Sequence, residues 1–290
     1  MSRVAILTPN PADEAFQGRW REVFDRMVSA FGAEGVEVEG RTWTEAGDLH
    51  DVPLVLPMNV WGYHREYDRW LGAVAAWAEQ GVRLANPASV LTWNSDKRYL
   101  GRLGEAGAPV VPSLYVDEVT PAAMADAARA FGVDRLVAKP QISAGAWQTL
   151  LWSTGQGVEG GPDGAAILQP FLPSVGATGE TSLFYFDGVF SHAVSKVAAE
   201  GDFRVQPDFG GAVSTVTPSD DERAAAEAVL ASVTEPLLYA RVDLVRDLSG
   251  KPALIELELI EPDLYLGYAP DKGQAFARAV RRALDGVASI

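Results

Sequence analysis

Residues 251–265 read KPALIELELIEPDLY, and four of these positions are carboxylates: Glu256, Glu258, Glu261 and Asp263. Ala253-Leu254-Ile255 precede them, with Leu257 and Leu259 interleaved, an apolar setting that predicts a half-buried strand. Side chains two residues apart on a strand share a face, so Glu256 and Glu258 are expected side by side. Two such carboxylates repel, and one is forced to keep its proton unless positive charge stands between them. The preceding segment, YARVDLVRD, carries Asp243 between Val242 and Leu244, and the Leu248-Ser249-Gly250 turn predicts a hairpin that brings Asp243 close to the pair. A solvated acidic edge is the plainer reading. Three acids converging among leucines and valines are better explained by a hard cation that accepts carboxylate oxygens.

Magnesium with few protein ligands normally holds a phosphate as well, and phosphate calls for cations. Lys139 ends the run RLVAKP in apolar company, Lys97 lies in NSDKRYL, and Arg204 lies in EGDFRVQPDFGG ahead of Gly210 and Gly211. Taken singly, each reads as an ordinary surface charge. The chain of 290 residues is 48% hydrophobic and 22% charged, enough for a large core in two or three lobes. A net charge of −15 argues against nucleic acid and anionic membrane surfaces as partners, but not against a small anionic ligand. The absence of cysteine excludes disulfides, thiolate zinc sites and thiol nucleophiles. The N-terminal apolar run is too short for a signal peptide and no stretch approaches a membrane span, so a cytoplasmic location is expected.

Other motifs carry less. Gly155, Gly157 and Gly160 have dinucleotide spacing, yet Gly161-Pro162-Asp163-Gly164 and another strand follow where a helix should open, so this is a turn. His50, His64 and His192 are scattered without metal spacing. Strand, helix, strand, strand, helix, strand over residues 1–92 predicts an α/β lobe. Its first helix carries Phe16, Trp20, Val23, Phe24, Met27 and Phe31, its second spans about 67–80, and RLANP is read as its last strand. The 58–63 loop lies at a strand's carboxyl end, where ligands bind in such lobes. A helix over 94–106 opens a second region, 93–173, and a strand-rich third region, 174–290, holds hairpins around Asp187-Gly188 and Leu248–Gly250.

The order of these cations and acids resembles the ATP-grasp superfamily, in the branch of prokaryotic glutathione synthetase, the ribosomal-protein glutamate ligase and the O-ureido-serine cyclo-ligase that forms cycloserine. The resemblance covers nearly the whole chain and implies an α/β ATP-grasp fold behind an N-terminal lobe. ANPASVLTWNSDKRYLGRL is similar to the family's entry helix and LVAKPQISAGA to its strand and flexible loop, which implies Lys97 and Lys139 on ATP phosphates. ILQPFLP resembles the adenine hinge at Gln169, Phe171 and Leu172, and Glu180 falls where a polar group meets the ribose. Arg204 matches the element beside the reacting carboxylate and, with Lys139, is implied in catalysis, with Lys196 a weaker companion. ARVDLV and LIELEL are similar to the magnesium module, which implies Asp243, Glu256 and Glu258 as ligands of one or two Mg2+, or Mn2+.

Three positions depart from the family pattern. Glu258 and Gln206 stand where Asn is usual, and Leu183 where related ligases often have arginine, which argues against glutathione-type substrate contacts. The implied activity is ATP-dependent ligation of a carboxylate and an amine through an acyl phosphate, with ADP and phosphate released. The substrate would be amino-acid-like or a peptide, joined between molecules or closed on itself, with the 155–164 turn as part of a lid. Position alone suggests Asn59, Trp61, Lys196 and Glu261 as substrate contacts. The alternative is a nucleotide-binding regulatory or scaffold protein that kept the fold without turnover. A nicotinamide oxidoreductase would need glycines after the first strand, and TPNPADEAF has none. A homodimer is expected only from the family and from how common two-fold dimers are.

Overall fold

Val4-Ala5-Ile6-Leu7 is apolar on both faces of its strand, which suits the middle of a parallel sheet. In the computed structural model, which describes residues 2–13, 19–199, 201–205 and 209–286, β1 (Ser2–Thr8) lies between β2 (Val36–Thr42) and β3 (Val55–Leu56), all parallel. Phe16 and Gln206 fall outside the described residues. Val4 and Ile6 pack on Val23, Met27 and Phe31 of α1 (Arg19–Ala33), while Ala5 and Leu7 pack on Trp70, Val74 and Trp77 of α2 (Tyr67–Glu79). The strand's two-residue period thus feeds two helices from one tetrapeptide.

Next come α3 (Ala88–Asn94) and α4 (Tyr99–Glu105), then a sheet made by β4 (Leu114–Val116), β5 (Arg135–Pro140), β6 (Leu150–Ser153) and β7 (Ala166–Pro170) in the order β4-β7-β5-β6, all antiparallel. It is covered by α5 (Pro121–Phe131) through Met124, Ala127 and Ala128. The ends of α5 are written locally: the Thr120 side chain accepts from the Ala123 N–H, Pro121 opens the helix, and Gly132 closes it at φ 68°. After the short α6 (Ser174–Ala177), a five-stranded antiparallel sheet combines β8 (Glu180–Phe186), β9 (Val189–Val197), β10 (Ala212–Thr215), β11 (Tyr239–Arg246) and β12 (Pro252–Glu258), in the order β10-β9-β8-β11-β12. The sheet is flanked by α7 (Asp220–Ala231) and α8 (Gln274–Leu284). Both predicted hairpins form, and the first turns on Asp187 and Gly188 at φ 52° and 75°, the left-handed pair a two-residue hairpin requires.

The cores cross the chain order. Phe276 of α8 packs against Phe31 at 5.2 Å and Phe186 at 4.8 Å, so both chain ends share one core. Val90, Tyr99, Leu100 and Leu103 of α3 and α4 pack under the five-stranded sheet with Leu183, Leu244 and Leu257. Two sequence expectations need correction. The helix expected over 94–106 runs only from Tyr99 to Glu105, Asn94 closing the helix before it, and RLANP is not a strand: Leu84 makes a single bridge to Val55, after which the Asn86 side chain serves other strands. The short strands β4 and β10 were not anticipated. Among the described residues no helix is long and apolar enough to cross a membrane.

Candidate active site

The hairpin of β11 and β12 pairs Asp243 with Glu256 and Arg241 with Glu258, so all four side chains share one face. The register then slips, and Leu244 faces Leu254, leaving Ile255 as an extra residue. The bulge lets Leu254 and Leu257 both enter the core while Ile255 and Glu256 both border a cleft. Asp243, Glu256 and Glu258 each present a carboxylate oxygen within 4.8 Å of the others.

The charge that keeps the glutamates together comes first from the protein. Lys97 Nζ donates to Glu256 at 2.6 Å, and Arg241 bridges Asp243, at 2.8 Å, and Glu258. Lys196 lies 3.3 Å from Asp243 and also contacts Glu180, and the Ser182 hydroxyl donates to Asp243 at 2.6 Å. Burial opposes ionisation of Asp243, but Arg241 and Lys196 hold it well below the usual range. Burial likewise works against Glu256, and Lys97, with Lys139 behind it, keeps it low. Glu258 goes the other way: burial, with Glu256 and Asp243 adding repulsion that Arg241 only partly offsets, pushes it up to about 8. Burial and mutual repulsion thus hold one member of the trio, Glu258, back from ionising, and the oxygen-only donor set fits a divalent hard cation.

Lys97 is held by a device the sequence did not reveal. The β12 edge is capped by side chains: Asn94 Nδ2 donates to the Leu257 carbonyl at 2.8 Å, the Leu259 N–H donates to Asn94 Oδ1 at 3.0 Å, and the Leu257 N–H donates to the Tyr99 hydroxyl at 2.8 Å. These bonds interrupt the helix between Asn94 and Tyr99 and leave Lys97 over Glu256. Its backbone N–H donates to Gln141 O at 2.9 Å, and its Nζ also donates to Ser143 O at 3.1 Å.

A cleft opens between the two antiparallel sheets. Lys97, Lys139, Gln169, Phe171, Leu172, Glu180, Arg204 and Glu256, scattered over 160 positions of sequence, all border it. Among the described residues Lys139 has neither an ion pair nor a hydrogen bond at its ammonium, and burial lowers its pKa. Arg204 borders the cleft, but Asp202 takes its guanidinium through two bonds of 3.0 and 2.7 Å, and Phe209 lies 3.7 Å beneath it. Residues 143–146 and 149 line the cleft and the 155–164 turn does not, so the loop nearest the cleft is the one after β5. Leu183 is fully buried in the core, on the face of β8 opposite Ser182 and Glu180, so it cannot stand in for a substrate arginine.

The four expected substrate contacts separate. Trp61 Nε1 donates to Glu261 O at 3.4 Å, joining the N-terminal lobe to the segment after β12. Asn59 is fully buried, its amide donating to Trp20 O at 3.4 Å and its backbone N–H to Leu7 O at 3.1 Å, so it anchors the loop rather than facing the cleft. Lys196 is spent between Glu180 and Asp243. Arg241 and Ser182 were missed. The signal for Arg241 was there, since it stands two residues before Asp243 on the same strand face.

Comparison with known proteins follows the same architecture. Residues 4–86 match the family described as D-cycloserine synthetase DcsG, N-terminal domain. The cycloserine biosynthesis protein DcsG of Streptomyces lavendulae is 34% identical over 237 residues, 70% of this chain and 74% of that protein. The chain belongs to the DcsG family of ATP-grasp ligases. It is a ligase that forms C–N bonds at the expense of ATP, and the scaffold alternative is not favoured. The crystal structure of D-cycloserine synthetase DcsG superposes with a TM-score of 0.83 at 28% identity, over 98% of this chain and 100% of that one. D-alanine–D-alanine ligase from Bacillus anthracis, at 14% identity, a TM-score of 0.70 and coverage of 98% and 97%, shares the ATP-grasp fold.

Proposed function

We propose that this DcsG-family ligase activates the carboxylate of an amino-acid derivative as an acyl phosphate and that a nitrogen of the same molecule then closes a ring. The observation that carries the reading is a buried Lys139, unpartnered among the described residues, bordering one cleft with Glu256 of the clustered acid trio. ATP is the phosphoryl donor, with adenine against Gln169, Phe171 and Leu172, ribose hydroxyls near Glu180, and phosphates at Lys97 and Lys139. Asp243, Glu256 and Glu258 would hold Mg2+, or Mn2+, which neutralises phosphate charge. The substrate carboxylate takes the γ-phosphoryl group, ADP forms, nitrogen attack gives a tetrahedral oxyanion, and phosphate leaves. Arg241, fixed by two carboxylates at the acid trio, is the cation we assign to that oxyanion. Arg204 is a second such cation once Asp202 releases it. O-Ureido-D-serine is the substrate we propose, from the family, and the site is cytoplasmic.

The test is ADP release with O-ureido-D-serine against D-alanine pairs and glutamyl peptides, with hydroxylamine added to intercept the acyl phosphate. ADP formation with a hydroxamate only for the first supports ring closure. ADP formation only with two-component mixtures would replace ring closure by intermolecular ligation. Glu258→Ala should abolish turnover, and near-wild-type activity in that variant would remove Glu258 from the metal site.

A further inference from the structure

Four acids, two of which line the cleft, each have a cation in the protein. Glu256 has Lys97, Glu258 has Arg241, Asp243 has Arg241 and Lys196, and Glu180 has Lys196. Glu261 has none. Among the described residues its carboxylate is met only by its own backbone N–H, although Lys97 and Arg241 are near enough to act on it through space. Nor is it a surface group: it lies three residues past the end of β12, is only partly exposed, and its carbonyl is fixed by Trp61. The buried Tyr63 senses the charge of Glu261 more than that of any other acid. An enclosed carboxylate without a partner is costly unless something supplies the charge. Lys139 is the mirror case at the nucleotide end of the site, a buried cation without an acid.

We propose that Glu261, beside the Trp61–Tyr63 loop, is the subsite for the free α-ammonium of the amino-acid substrate. The proposal rests on the ligase reading above and adds what the substrate must carry. With its ammonium on Glu261, the substrate's carboxylate lies toward Glu256, Lys97 and the nucleotide. An ammonium held by a carboxylate keeps its proton and has no lone pair, so it cannot attack the acyl phosphate. The α-nitrogen could close only a three-membered ring on its own acyl carbon, so the bond to that carbon forms from a ureido nitrogen, which loses its proton, and phosphate is the leaving group. Glu261 thereby determines which substrates bind, and holding the ammonium protonated keeps it from attacking a second activated molecule.

The experiment is calorimetric binding of O-ureido-D-serine and its Nα-acetyl derivative to the full chain with a non-hydrolysable ATP analogue and Mg2+, alongside ADP release. Wild type should bind the free amine at least 100-fold more tightly than the acetylated form. Glu261→Gln should lose about 30-fold toward the free amine, with no change for the acetylated form, the nucleotide analogue or the melting temperature. Equal behaviour of Glu261→Gln and wild type overturns the subsite, as does a wild type that binds neither compound. Discrimination that depends on Glu261 without any ADP release supports the subsite while refuting the ligase reading. Should Glu261→Gln melt early, Glu261→Asp keeps the charge and must keep the preference for the free amine; its loss there overturns the proposal.

Discussion

Replacing Asn94 by alanine tests how this chain holds its first phosphate-side lysine. Asn94 lies outside the cleft, yet its amide makes two bonds to the edge of β12, to Leu257 O at 2.8 Å and from Leu259 N–H at 3.0 Å. Leu257 and Leu259 are buried, at 1% and 0% exposure, so alanine strands one backbone acceptor and one donor away from water. A buried polar group left without its partner costs about 1–3 kcal/mol. Two such groups, with partial relief from a water entering the vacated space, cost about 2–4 kcal/mol. At about 2 °C per kcal/mol for a chain of this size, the melting temperature should fall by about 4–8 °C. Lys97 sits three residues on and owes its position to the helix break, so affinity for an ATP analogue should fall as well. The assay is urea unfolding with and without the analogue. Asn94→Asp is the informative companion: it keeps an acceptor for the Leu259 N–H but turns a second oxygen toward the Leu257 carbonyl, and should be no better than alanine. Stability of Asn94→Ala within 0.5 kcal/mol of wild type, or full rescue by aspartate, would refute the edge-clamp reasoning.

Further outcomes are expected. His64 is held down to about 4 by burial, with Arg65 and Lys97 adding repulsion. It is neutral in the fold while the unfolded chain protonates near 6.5, so its contribution is present above that pH and is lost as pH falls toward 4. Wild type should lose about 1–2 kcal/mol between pH 7.5 and 5 that His64→Gln does not lose, and parallel unfolding curves for the two proteins would contradict this. A Cβ on Gly179, at φ +80°, would meet the Lys196 carbonyl at 2.4 Å, whereas one on Gly188, at φ +75°, meets nothing within 4 Å. Gly179→Ala should therefore cost about 3 kcal/mol or more and Gly188→Ala about 1 kcal/mol, read as denaturation midpoints. Lys139→Met removes a buried unpaired charge, so the ligand-free protein should be as stable or about 1 kcal/mol more stable while the thermal shift with an ATP analogue disappears. A destabilised variant that still binds the analogue would count against Lys139 as a phosphate ligand.

What was legible in the sequence was local or periodic. Alternation in LIELEL put Glu256 and Glu258 on one face, and the Asp187-Gly188 and Leu248–Gly250 turns set the hairpins. The same period put Arg241 beside Asp243, and ordinary reading passed over it because an arginine in a strand so often belongs to solvent. Other features depended on what the tertiary structure brought alongside. The break between Asn94 and Tyr99 follows from the free edge of β12, more than 150 residues away, whose unpaired backbone groups outcompete the helix for those side chains. The answer to the charge repulsion between Glu256 and Glu258 came from Lys97 and Arg241 on other elements, and which acid was left without a cation became visible only once every pair had been formed. Local propensity and period act within a few residues and are written in the chain. Electrostatic pairing and edge satisfaction act through space, and only the folded arrangement decides them.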